Sequence, residues 1–154
     1  MSIEQRLEEL VAKQEISELL LGFTAALDAK DWEAYGDTFV ADASFTIMGQ
    51  TRHGRAAIAA GPARDLERYA RLQHLSANHR IRVDAGAGEA QASHYLIGVH
   101  VPDDADLSRH ADIGGRYDCR CVRTPEGWRF ADVVLTILWT AGGQFAIEHA
   151  PDPA

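Results

Sequence analysis

The sequence changes from helical to strand-like periodicity at the stretch Leu72-Gln73-His74-Leu75-Ser76-Ala77-Asn78-His79. From there on, residue types alternate with a period of two, which is typical of β-strands. This pattern predicts four long strands, at residues 72–83, 89–101, 113–123 and 128–139. Strands that follow one another through turns tend to pair with their neighbours, so an antiparallel sheet is expected.

The residues before this sheet have helical periodicity. Apolar side chains recur at intervals of four and three residues, which predicts an amphipathic helix over residues 3–29, in two segments. They are Ile16, Leu20, Phe23 and Leu27. Asp31 is placed to cap a second, short helix that begins at Trp32.

Two short strands and a third helix are predicted between these regions. Residues 44–48 and 51–53 are expected to form a hairpin with its turn at Gly49-Gln50. Gly54 leads into a helix that runs to about Tyr69, and Gly61-Pro62 is expected to break or restart it. Helices first and strands afterwards indicate a single α+β domain over residues 1–147, followed by a loose tail at 148–154.

Composition narrows the class of protein. The chain has 154 residues, of which 46% are hydrophobic and 25% charged, as in ordinary globular domains. Fifteen Lys and Arg against 23 Asp and Glu give a net charge of -8, which argues against nucleic-acid binding. Neither a signal peptide nor a run of 18 apolar residues is visible, so a cytoplasmic protein without a membrane span is expected. Cys119 and Cys121 are expected to be reduced thiols that pack as small hydrophobic residues.

The polar residues of the first long strand are the leading site candidates. His74, Ser76 and Asn78 share one predicted strand face, which either meets water or lines a polar pocket. As a general base, His74 would need an acid on its second ring nitrogen. Asp28 is the candidate acid because the macrodipole at the end of its helix disfavours an uncompensated carboxylate. The alternatives are a packed or surface histidine and a solvated acid.

A second histidine is a weaker candidate. His94 shares a predicted strand face with Ala90, Ala92 and Leu96, which indicates either close packing or room for a ligand. The sequence contains no motif for binding a nucleotide or phosphate, no serine-nucleophile motif, and no histidine spacing typical of zinc sites. Neither a cofactor nor a metal ion is therefore expected.

Several short motifs occur in a characteristic order along residues 3–140. They are Leu27-Asp28-x-x-Asp31-Trp32, Phe39-x-x-Asp42-Ala43, Gly54-x-x-Ala57-Ile58, His74-x-x-x-Asn78, Gly114-Gly115-Arg116-Tyr117 and Gly127-Trp128-Arg129. Together they resemble the SnoaL-like branch of the nuclear-transport-factor-2-like superfamily. The resemblance implies a cone-shaped, strongly curved, mostly antiparallel sheet around a pocket closed by the amino-terminal helices, and a homodimer. It also implies that Asp28 and His74 act as a catalytic pair.

The resemblance further implies a function and a set of ligand contacts. Dehydratases of the family often carry a tyrosine where this chain has Phe23, so Tyr35, Tyr95 or Tyr117 is a candidate to replace that phenol. The residues expected to contact a substrate are Asn78, His94, Phe23, Tyr117 and Trp32. The expected function is that of a cofactor-independent lyase or isomerase acting on a small apolar or aromatic molecule. The alternative is a non-catalytic ligand-binding or assembly module.

Overall fold

The computed structural model describes residues 1–143 and confirms the predicted order of helices followed by strands. The elements are α1 (Ile3–Ala29), α2 (Trp32–Asp37), β1 (Phe39–Ile47), β2 (Gln50–His53), α3 (Arg55–Leu66), β3 (Arg71–Asp84), β4 (Glu89–Val101), β5 (Ala111–Thr124) and β6 (Gly127–Gly142). The predicted tail at 148–154 and the last residues of the predicted domain lie outside the described residues.

One curved, mostly antiparallel sheet forms the body of the molecule, as predicted. Its six strands have the order β2-β1-β6-β5-β4-β3, and β1 with β6 is the one parallel pair among residues 1–143. The sheet is not a closed barrel, because β2 and β3 are its two edges. Side chains from opposite edges can nevertheless meet above the inner face, which α1 covers next to β3.

The first helix is continuous, so the prediction of two segments is wrong. The hydroxyl of Ser2 accepts a hydrogen bond from the Gln5 backbone N–H, and the Gln5 side chain accepts one from the Ser2 N–H. This capping box starts the helix, and Lys30 ends it in the left-handed conformation. Gly22 costs only about 1 kcal/mol inside a helix, which the burial of the apolar stripe offsets.

The helix α3 also runs without a break, contrary to the prediction for Gly61-Pro62, and ends at Leu66 rather than near Tyr69. A proline ring normally clashes with the Cβ of the preceding residue and pushes that residue out of helical conformation. Gly61 has no Cβ, so the residue before Pro62 can stay helical. Burial of Ile58 and Leu66 holds the helix against the sheet.

The β1–β2 hairpin turns one residue earlier than predicted. Its turn is Met48-Gly49, and both residues have positive φ, 51° and 77°. Two positive φ angles match the right-handed twist of a hairpin, and glycine adopts them without strain. The strand β1 begins at Phe39, well before predicted residue 44, because Phe39 already pairs with Phe130 of β6.

A bulge in β3 changes which side chains face inward. The pairing with β4 moves from Ala77↔Tyr95 to Arg80↔Ser93, which leaves two residues unpaired, and Asn78 has φ 56°. Before the bulge, His74 and Ser76 face the interior; after it, His79 does, and Asn78 is exposed. The prediction that Asn78 shares a face with His74 is therefore wrong, because the bulge reverses the alternation.

Two cysteines of β5 lie in the interior of the protein. Cys119 and Cys121 are free and buried, and burial raises the pKa of both thiols, that of Cys121 to about 12.

On the outer face, Leu75, Ile97 and Trp139 are exposed and connected in a row by the strand pairing through Gly114. The homodimer stays a prediction, and this row is one apolar surface that it would cover. No helix within residues 1–143 is long and apolar enough to cross a membrane.

Candidate active site

The end of α1 and the start of β3 bring Asp28 and His74 into direct contact. Asp28 Oδ1 lies 2.7 Å from His74 Nδ1, and Asp28 Oδ2 accepts a hydrogen bond of 3.0 Å from the His74 backbone N–H. The carboxylate thus holds both the ring and the main chain of the histidine. These bonds also supply the partners that a carboxylate at a helix carboxyl end requires.

The contact with Asp28 selects one neutral form of the His74 imidazole. A carboxylate only accepts hydrogen bonds, so Nδ1 carries the proton and donates it to Asp28. The second nitrogen, Nε2, then has a free lone pair and no hydrogen-bond partner among residues 1–143. The His74 side chain is 5% exposed, and it lines the internal cavity of the sheet. This is the arrangement that a general base requires.

Glycine at position 98 makes room for the ring. Gly98 pairs with His74 across the sheet, and a Cβ added to it would lie 3.0 Å from His74 Cδ2 and 3.1 Å from Nε2. The same Cβ would lie 3.1 Å from Cε1 of His100. Any larger residue would therefore push on both imidazoles.

The second imidazole, that of His100, was missed in the sequence. It packs edge-on against His74 with 5.2 Å between ring centroids, and its Nδ1 donates to the Ala111 carbonyl at 2.9 Å. Burial lowers the pKa of His100 to about 4, with a smaller contribution from His74. His100 is therefore neutral near pH 7. Its position six residues after His94, on the same strand face, was the available signal.

A cavity of about 80 Å³ adjoins His74. This is several times the volume of about 10–15 Å³ that one water molecule needs, so the cavity has room for a small organic molecule. Its apolar wall consists of Leu27, Phe45, Ile47, Pro62, Leu66, Leu96, Ile113 and Leu135. Its polar residues are Tyr35, Arg52, Asp65, His74, His100 and Tyr117. The wall is thus mostly apolar with a few polar groups, as is usual for ligand pockets.

Two tyrosines supply phenols to this cavity. Burial raises the pKa of Tyr35 and of Tyr117 well above the usual value, so both stay protonated and can donate a hydrogen bond. Neither hydroxyl is hydrogen-bonded within the described part of the chain. The centroid of the Tyr35 ring lies 5.0 Å from that of Phe23. Of the three tyrosines expected to replace the phenol absent at Phe23, Tyr35 and Tyr117 line the cavity. Tyr95 is exposed on the outer face.

Two other predicted contact residues lie outside the cavity lining, which corrects their expected positions. Phe23 is 1% exposed and packs edge-on against Tyr117 and Phe130 in the aromatic core behind the cavity. Trp32 donates its indole N–H to Glu67 at 3.0 Å and so ties α2 to the end of α3. Both residues support the walls of the cavity.

A second polar cluster lies between α1, β3 and β4. Ser17 Oγ is 2.8 Å from His79 Nδ1, and Ser76 Oγ is 2.8 Å from His79 Nε2 and 2.7 Å from His94 Nδ1. His94 is 1% exposed, stacks on Tyr117 and does not line the cavity. Of the two alternatives for this histidine, close packing or room for a ligand, the structure shows close packing. Its Nε2 has no partner within residues 1–143. No group of three or more His, Cys, Asp or Glu in those residues is placed to hold a metal ion.

These buried histidines predict acid-sensitive stability. Burial lowers the pKa of His94 and His100 to about 4 and lowers that of His79. Below about pH 6.5 the unfolded chain therefore binds protons that the folded chain does not, so stability is complete above that pH and falls as the pH approaches 4. Each unit of pKa depression corresponds to about 1.4 kcal/mol.

We expect the free energy of unfolding in urea to fall by a few kcal/mol, as an order of magnitude, between about pH 7 and about pH 5. The variant His94→Gln should show a smaller fall than the wild type, whereas His110→Gln, with a 39% exposed side chain, should not. Equal stability of the wild type at both pH values would contradict buried neutral histidines.

Comparisons with known proteins agree with this architecture. A family model described as a SnoaL-like domain matches residues 8–134. A protein from Novosphingobium aromaticivorans described as NTF2-like with a cystatin-like fold is 25% identical, with a TM-score of 0.76 over 88% of each chain. A search of curated proteins gives no match.

Two further solved structures have names that refer to enzymes. One, from Novosphingobium aromaticivorans, is provisionally called a scytalone dehydratase; it is 18% identical, with a TM-score of 0.79 over 94% of this chain and 96% of that chain. The other is a type 3 hexachlorocyclohexane dehydrochlorinase from Novosphingobium barchaimii, 14% identical, with a TM-score of 0.73 over 92% of this chain and 97% of that chain. At these identities the likeness shows a common fold.

Proposed function

The chain belongs to the SnoaL-like domain family, and from this premise we propose that it is a cofactor-independent lyase or isomerase. Its substrate is a small, mostly apolar molecule, and its first step removes a proton from carbon. The main support is the contact of 2.7 Å between Asp28 and His74 at the cavity. The dehydratase and dehydrochlorinase names of two structural neighbours fit a lyase.

In the proposed step, Nε2 of His74 takes the proton. The electron pair of the broken C–H bond moves into the substrate, either toward a neighbouring carbonyl or to expel a leaving group. Asp28 keeps the imidazole in the reactive tautomer and stabilises the imidazolium that forms. General-base help of this kind contributes about 10²–10⁴-fold to the rate.

The protonated phenols of Tyr35 and Tyr117 complete the step. Each can donate a hydrogen bond to a substrate oxygen that gains negative charge, and the apolar walls around them strengthen such a bond by excluding water. They would thereby replace the phenol that is absent at Phe23. The imidazolium of His74 can then return its proton to another carbon or to a leaving group.

Solvent exchange tests the proposal without knowledge of the natural substrate. Small enolisable carbonyl compounds are incubated with the protein in D₂O, and loss of the C–H signal is followed by NMR. We expect the protein to catalyse exchange in at least one compound that also raises its melting temperature. Compounds that bind but show no exchange above the buffer rate would instead support a non-catalytic binding module.

A further inference from the structure

The cavity has a cationic side chain at the edge of the sheet opposite to His74. Arg52 belongs to β2 and His74 to β3, and these strands form the two edges of the sheet. Both side chains nevertheless line the same cavity, because the sheet curves around it. A molecule in the cavity therefore has a base toward one side and a guanidinium toward the other.

The guanidinium of Arg52 sits in a place that only glycine leaves open. A Cβ added to Gly61 of α3 would overlap Nη1 of Arg52 and lie 2.6 Å from Cζ. The Arg52 side chain is 20% exposed. The guanidinium thus packs against the backbone of α3 at Gly61, beside the cavity.

The guanidinium of Arg52 has N–H groups to spare for a ligand. Arg52 makes no hydrogen bond within residues 1–143, and its ion pair with Asp65 is long, at 3.5 Å. Asp65 also accepts hydrogen bonds of 3.0 and 3.4 Å from Arg64, so each of its oxygens already has a closer donor than Arg52. By contrast, Arg55 donates to the Phe39 carbonyl at 2.6 Å. A partly buried guanidinium with one long ion pair and no hydrogen bond to the described residues favours a planar anion as a further partner.

We propose that Arg52 is the binding site for the carboxylate of a small apolar or aromatic monocarboxylate. The carboxylate accepts two parallel N–H···O hydrogen bonds from the guanidinium. The apolar body of the molecule lies along the cavity wall toward His74. The Tyr35 hydroxyl adds a neutral donor to the same cavity, because Tyr35 and Arg52 both line it. That this ligand is also the substrate rests on the proposed function; that it binds does not.

Calorimetry with matched acids and amides tests this site. The probes are butyrate and benzoate, with butyramide and benzamide as neutral molecules of the same shape. We expect the wild type to bind each acid about 10–100-fold more tightly than its amide, the range typical of a charge-assisted hydrogen bond. In Arg52→Gln the ratio should fall to about one, whereas Arg116→Gln, an exposed arginine on the outer face, should keep it.

Two more variants make the test decisive. Gly61→Ala keeps the charge but pushes the flexible guanidinium out of its place, so it should fold and still lose most of the preference for acids. His74→Gln should keep that preference, so failure of catalysis leaves the binding result intact. Equal affinity for acid and amide in the wild type, no binding of the acids at millimolar concentration, or an unchanged ratio in Arg52→Gln would each overturn the proposal.

Discussion

Replacement of His74 by glutamine is expected to lower the rate of catalysed proton exchange by about 10²–10⁴-fold. Glutamine fills most of the space of the imidazole and can still hydrogen-bond to Asp28, but it has no nitrogen lone pair that can accept a proton at neutral pH. The backbone N–H of residue 74 also keeps its bond to Asp28 Oδ2. We therefore expect the melting temperature to change far less than the rate.

A matched control is available outside the cavity lining. His110 Nδ1 and Asp112 Oδ1 are also 2.7 Å apart, but neither residue lines the cavity. His110→Gln removes a histidine–aspartate contact of the same kind and should leave the exchange rate unchanged. A His74→Gln protein with wild-type exchange would exclude His74 as the base.

The second large effect is expected for Asp28→Asn, with a loss of rate in the same range of about 10²–10⁴-fold. The side-chain amide of the introduced asparagine can still accept the His74 backbone N–H through its oxygen, so the fold is kept. Its NH₂ group, however, donates toward Nδ1 and forces the imidazole proton onto Nε2, which removes the reactive lone pair. The His74 imidazolium that forms during the reaction also loses the negative charge of Asp28 as its counterion.

Rates and melting temperatures of Asp28→Asn and of the control Asp112→Asn, outside the cavity lining, separate these effects. A rate loss confined to Asp28→Asn, with both proteins folded, is the expected pattern. If Asp28→Asn instead exchanged protons as fast as the wild type, the aspartate would have only a structural part in holding β3.

The order of elements was predictable because it depends on local patterns. Apolar spacing in α1 and alternation in the long strands identify these elements, and Asp31 caps α2 as predicted by accepting the Ala34 N–H at 2.9 Å. The continuity of α3 was not predicted, because a proline inside a helix ordinarily breaks or kinks it. There, Gly61 removes the clash that Pro62 would otherwise cause.

The site was predictable only in part. Asp28 and His74 stand out because a histidine acting as a base needs an acid on its second ring nitrogen. The family resemblance indicates that this acid is Asp28. The bulge at Asn78 could not be read from alternation, since the residues on both sides continue the same pattern. It is the bulge that turns His79 inward and Asn78 outward. Arg52 was missed because its place depends on contact between β2 and α3, which strand periodicity does not reveal.

The central claim is that Asp28 holds the neutral imidazole of His74 with its proton on Nδ1 and its lone pair on Nε2. Nitrogen-15 NMR of histidine-labelled protein measures this directly and needs no substrate, with assignment by comparison with His74→Gln. We predict that the neutral ring of His74 is protonated at Nδ1 in the wild type and at Nε2 in Asp28→Asn. A neutral His74 ring protonated at Nε2 in the wild type would contradict the claim.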